Sequence, residues 1–167
     1  MNVKKYLDYV DRLSKCDDFS ILDLANDDEL PLQGRAFMCA VSLDSQAQLA
    51  LSIWCARAAC ERSSNARIDR RVYASIEFKE AQLKKGELST REKQQSFPQN
   101  MKHFDQTMTA LRECVPAAIN AVACSHWLCF TASRKMTIGC VSHFVATFED
   151  ENEGYQAILD KIKSEVK

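Results

Sequence analysis

Glycine and proline are scarce, at four and three of 167 residues. Sheets that turn often draw on both, so their shortage argues against a β-sandwich or barrel and favours long helices with few sharp turns. Long apolar runs are missing as well. The most apolar stretch, residues 115–130, is interrupted by Pro116, Asn120 and His126. It falls short of the roughly 20 residues that a membrane span needs. The opening residues, Met-Asn-Val-Lys-Lys-Tyr-Leu-Asp, contain no apolar segment followed by a small-residue cleavage site. No secretory signal is therefore expected, and a cytoplasmic location is. Charge of one sign is lacking too. Twenty-two Lys and Arg face 23 Asp and Glu, and the net charge of −1 leaves no footprint for nucleic acid or an anionic membrane.

Motifs that carry chemistry are also few. There is no Gly-x-Gly-x-x-Gly and no Gly-Lys-Ser or Gly-Lys-Thr, so no backbone cradle for phosphate is expected. No Glu-x-x-His occurs, which closes the carboxylate-bridged di-metal bundle. No Cys-x-x-Cys occurs, so the usual zinc knuckle is absent. The sharpest metal reading pairs His126 with Cys129 and Cys140 with His143, since i and i+3 share a helical face. A core histidine bonded to a neighbour explains His126 equally well, and no metal or cofactor is expected. For a Cys–His dyad, Cys16 has Asp17 and Asp18 beside it, which disfavour the thiolate. Cys140 follows only Lys135 and Gly139. No catalytic residue is expected, and the chain does not read as an enzyme.

What is present is helical periodicity. Apolar residues recur at steps of three and four over residues 3–14, from Pro31 to about 43, and from an Asp44 or Ser45 cap to Arg62. Ala47, Ala50, Leu51, Trp54, Cys55, Ala58 and Ala59 make the last of these the clearest core helix. A further helix is expected over 66–85, with Ile68, Val72, Ile76 and Leu83 inward and Lys79, Glu80, Lys84 and Lys85 on the wet side, ended by Gly86. Residues 88–100 read as polar and contain Pro98, with a short helix at the Ser89-Thr90-Arg91-Glu92 capping box. From Met101 a stripe of Phe104, Met108, Leu111 and Val115 returns. Pro116 then opens a new helix to about 133, and others follow over 136–148 and from Tyr155 to Ile162. The whole predicts a single all-α domain, 1–167, a bundle of about seven helices. Eight cysteines lie mostly among Ala, Val and Ile on these faces, where a reduced thiol behaves as a small apolar residue.

Charged residues gather at three places. Arg67, Arg70, Arg71, Lys84 and Lys85 are diluted by Asp69, Glu77, Glu80 and Glu87, which suits a solvated face. Two clusters are acidic and fall in expected loops: Asp27, Asp28 and Glu29, and Glu149, Asp150, Glu151 and Glu153. Such loops solubilise a protein, and they also complement a basic partner and speed its approach.

Four segments in order carry a resemblance. Residues 49–61 read Leu-Ala-Leu-Ser-Ile-Trp-Cys-Ala-Arg-Ala-Ala-Cys-Glu, and residues 69–78 read Asp-Arg-Arg-Val-Tyr-Ala-Ser-Ile-Glu-Phe. Residues 83–88 read Leu-Lys-Lys-Gly-Glu-Leu, and residues 117–127 read Ala-Ala-Ile-Asn-Ala-Val-Ala-Cys-Ser-His-Trp. The order of Trp54, Ile76-Glu77, Gly86-Glu87 and His126 resembles an Ala-rich, all-helical family of bacterial immunity proteins of polymorphic toxin systems, over residues 45–148. That resemblance implies a cognate protein toxin as partner, neutralised by steric occlusion, with no catalytic residues to carry over. The seven clustered acids would then meet a cationic toxin. The competing readings are a helical domain holding a small molecule or metal between Trp54, His126, Trp127 and the cysteines, and a structural adaptor. In the adaptor reading a homodimer, where there is one rather than a monomer, forms through the apolar face of residues 155–162.

Overall fold

The computed structural model describes residues 20–63, 66–131 and 133–166, together with Lys4, Leu7, Asp8 and Asp11. The helix expected over 3–14 lies outside the described residues save for those four positions, and Cys16 lies outside them too. Among the described residues there are eight α-helices and one 3-10 turn, with no strand. The helices are α1 (Ile21–Ala25), α2 (Leu32–Ser42), α3 (Ser45–Arg62), α4 (Arg70–Lys84), α5 (Thr90–Glu113), α6 (Ile119–Trp127), α7 (Ser133–Val145) and α8 (Glu151–Glu165), and the 3-10 turn, Pro116–Ala118, leads into α6. The all-α bundle expected from the sequence is thus the fold.

Short polar side chains set most of the helix starts. Asp44 accepts the Ala47 N–H at 2.8 Å to open α3, and Asp69 accepts the Arg71 N–H at 2.8 Å to open α4. Ser89 and Glu92 form the full capping box of α5. Asp150 accepts from Asn152 at the start of α8, whose first turn also carries Glu151 and Glu153 against the positive end of the helix dipole. At the far end of α4, Gly86 takes φ +78°, a left-handed conformation that a side chain would resist.

The core has three layers. Helices α3, α6 and α7 pack mutually at the centre, the α4–α5 hairpin covers α3 and α6, and α2 and α8 cover α7 with α1 against them. Small residues allow the central contacts. Ser52, Cys55, Ala56, Ala59 and Cys60 are among the buried residues of α3. Gly139 of α7 lies so close to α6 that a Cβ there would fall 2.1 Å from the Trp127 ring. Two thiols pin the same pair of helices. Cys124 Sγ donates to the Cys140 carbonyl at 3.3 Å, and Cys140 Sγ donates to the Cys124 carbonyl at 3.4 Å. The seven described cysteines are unpaired, and all but Cys114 are buried. Phe144 fills the centre of α7, 4.9 Å from the Trp54 ring.

Three expectations need correction. Helix α5 does not stop for Pro98 but runs through it, since the capping box starts a helix whose later turns are held by α4 and α6. Its buried face is also turned from the expected stripe. Asn100, His103, Thr107 and Ala110 face inward, while Val115 is 53 % exposed and Met101 41 %. Part of this polar line is partnered, since Thr107 Oγ1 bonds His126 Nδ1 at 3.0 Å and the His103 ring stacks on Phe78 at 4.7 Å, while Asn100 Oδ1 and His103 Nδ1 are buried without a hydrogen bond. Finally, the face of Tyr155, Ile158, Leu159 and Ile162 is buried within the chain, so it is not a free surface for a homodimer.

Candidate functional site

The residues proposed for a zinc site are used otherwise. His126 binds Thr107, and its ring lies between Phe104 at 4.5 Å and Phe130 at 5.8 Å. Cys129 Sγ reaches the same Thr107 hydroxyl at 3.8 Å, and His143 Nδ1 is 3.3 Å from Asn120 Oδ1. Among the described residues no group of three or more His, Cys, Asp and Glu is placed to hold a metal ion. Burial also disarms these groups as nucleophiles and bases. It pushes the thiol of Cys39 up to about 12 and those of Cys60 and Cys129 up to about 11. Cys55 and Cys124 are likewise raised well above the ordinary thiol value, chiefly by burial. His103, His126 and His143 are all lowered by burial, which favours the neutral ring. Of the aromatic residues read as a pocket, Trp54 packs on Phe144 at 4.9 Å and lines a cavity with Ala47, Ala50 and Lys161, while Trp127 stacks on Phe130 at 4.6 Å.

The two acidic clusters are brought to the same end of the molecule. Helices α2 and α8 run parallel. Gln33, near the start of α2, lies close enough to the Tyr155 hydroxyl near the start of α8 to influence its ionisation, and the Phe37 and Tyr155 rings are 5.9 Å apart. At the other end Leu43 lines one cavity with Ile162 and Val166. Parallel packing puts the loop before α2, with Asp27, Asp28 and Glu29, at the same end as Glu149 and Asp150 before α8 and as Glu151 and Glu153, which stand in its first turn and not in the expected loop. All but the half-buried Asp27 are exposed. Part of this acidity serves the fold. Asp28 bonds Arg35 at 2.8 Å, Asp27 Oδ1 accepts the Glu29 N–H at 3.2 Å, and Asp150 is a helix cap.

A cleft of about 250 Å³ opens on another side, where α3, α4, α5 and the turn into α7 converge. Its walls include Leu49 of α3, Lys79 and Gln82 of α4, Lys93, Ser96 and Asn100 of α5, and Phe130 and Met136. Lys79 was expected on the wet side of its helix. It is instead 5 % exposed, on the buried face with Val72, Ser75 and Ile76. Among the described residues no hydrogen bond or ion pair reaches its ammonium, and the Phe78 ring lies 5.9 Å away. Burial lowers its pKa. Asn100, 6 % exposed, lines the same cleft with its Oδ1 buried and unpartnered. The signal for Lys79 was in the sequence: 72, 76, 79 and 83 follow one helical stripe at steps of four, three and four, and its charge concealed it.

Some basic residues elsewhere are paired. Arg57 holds Glu80 with both ends of its guanidinium, the second contact at 2.6 Å, and ties α3 to α4. Arg71 bridges Asp69 at 2.6 Å and Glu113 at 2.5 Å, which holds Asp69 down to about 2. Arg71, one of the stretch expected on a solvated face, thus ties the start of α4 to the end of α5. No helix among the described residues is long and apolar enough to cross a membrane. Comparison with protein families, curated proteins and solved structures finds no match to the chain.

Proposed function

We propose that this chain is an immunity protein: a non-enzymatic, cytoplasmic inhibitor that binds a cognate bacterial toxin and covers its working surface. The observation that carries the reading is the parallel packing of α2 and α8, which gathers Asp28, Glu29, Glu149, Asp150, Glu151 and Glu153 on one exposed end of a rigid bundle. Acid concentrated on one end of a chain with net charge −1 gives a field that steers a cationic partner and sets its orientation. The buried thiols and neutral histidines, which offer no activated nucleophile, support binding without turnover. The resemblance over residues 45–148 supports the same class.

The test is co-expression with a toxin encoded beside this chain's gene, followed by purification of the complex and measurement of association at several salt concentrations. The expected result is protection of the cells and a stoichiometric complex. Charge reversal at Glu149, Glu151 and Glu153 should slow association about tenfold or more at low salt and change dissociation little. Cells that die with the protein expressed, or a complex whose association ignores both salt and the reversal, would remove the basis for this reading.

A further inference from the structure

We propose that the cleft at Lys79 and Asn100 is a binding site for a small hydroxycarboxylate with a short apolar body. Two residues more than nine-tenths buried line it: Lys79, whose ammonium meets no carboxylate among the described residues, and Asn100, whose Oδ1 is buried without a partner. A cation on a largely buried side chain with no counter-charge is costly, and a ligand carboxylate in the cleft supplies what the fold leaves out. The surroundings favour an anion further. Ser45 and Gln46, the first residues of α3, and Ser133, the first residue of α7, line the cleft, so two helix N-termini face it, although Asp44 takes the Ala47 N–H of α3. Lys93 is a second cation on the wall, against the single exposed carboxylate of Glu87.

Asn100 narrows the ligand. Its Oδ1 is an acceptor, so the ligand must bring a donor. With two lysines against one glutamate, a neutral hydroxyl fits better than a second ammonium. Leu49, Leu88, Phe130 and Met136 form the apolar part of the lining, and about 250 Å³ admits a body of a few carbons. The site lies apart from the acidic end and does not rest on the immunity reading.

The experiment is isothermal titration calorimetry of the full chain against 2-hydroxyisocaproate, 4-methylvalerate (the same body without the hydroxyl) and inorganic phosphate. The expected result is one-to-one binding of the hydroxy acid, at least threefold weaker for 4-methylvalerate and at least tenfold weaker in Lys79→Met. A Lys79→Met chain that fails to fold is replaced by Asn100→Leu, which should remove the preference for the hydroxyl. Independently, the Lys79 side-chain resonance in lysine-labelled protein should move on saturation and its pKa should rise. No saturable heat with the hydroxy acid, equal binding by Lys79→Met, or tighter binding of phosphate would each overturn the proposal.

Discussion

At the scale of single residues, burial decides what a side chain can do more than its identity does. Of the described cysteines only Cys114 is not buried, and the other six sit in packed helix faces. Native protein treated with N-ethylmaleimide at pH 8 should therefore label at Cys114, while Cys55, Cys124 and Cys140 label only after unfolding. Peptide mapping by mass spectrometry reads this directly, and rapid native labelling of Cys124 would contradict the packing described. Gly139 makes the same point from the side of shape. Its missing Cβ leaves room for the Trp127 ring, which would otherwise stand 2.1 Å away. Gly139→Ala should cost about 1–3 kcal/mol in urea unfolding. Trp127→Leu in the same chain should return part of that loss. The apolar positions and the buried thiols were legible from periodicity, because both follow a helix face. Lys79 was not, since its charge outweighed its place on the stripe. Thr107 and His126 meet across two helices, so no local spacing could have paired them.

At the scale of elements, caps were more legible than breaks. Asp44, the Ser89–Glu92 box and Gly86 mark helix ends where the sequence placed them. Proline misled, because its local cost is outweighed when tertiary contacts hold the helix on both sides. In α5 the Pro98 ring cannot donate to the turn before it, while the capping box lies upstream and the buried residues Asn100 to Ala110 lie downstream. Pro98 is exposed, so its replacement leaves the core untouched. Pro98→Ala should then raise stability by about 2 kcal/mol, the helix gain less the entropy returned to the unfolded chain. Ser89→Ala in the same helix should lower it by about 1 kcal/mol. A denaturant titration of both variants distinguishes this from two separate helices, in which Pro98→Ala would give no gain. The orientation of α5 was hidden for a related reason. Its apolar and polar stripes are adjacent, and only the positions of Phe78 and His126 on neighbouring helices select the polar one to face inward.

At the scale of the whole molecule, helix pairing gathers the acids and burial sets how the histidines answer pH. The grouping of the two acidic loops was not visible in a linear reading, because 120 residues separate Glu29 from Glu149 and only the parallel pairing of α2 with α8 joins them. Lowering the pH from 7.5 to 5.5 crosses the ordinary histidine range. The histidines respond first. His103, His126 and His143 are each held below the ordinary value of 6.5 by burial. A base whose folded pKa is depressed adds stability that is complete above the unfolded value and is lost as pH falls toward the folded one, because the unfolded chain takes up protons first. Asp69, held to about 2, shares the sign of the effect but acts only at far lower pH. The melting temperature should therefore fall between pH 7.5 and 5.5, with net proton uptake on unfolding. His143→Gln should flatten the fall, because the amide keeps a contact to Asn120 without a titrating ring. A melting temperature that holds steady or rises across this range would mean that the three rings are not buried as neutral groups. The packing of α5 on α6 through Thr107 and His126 would then need revision.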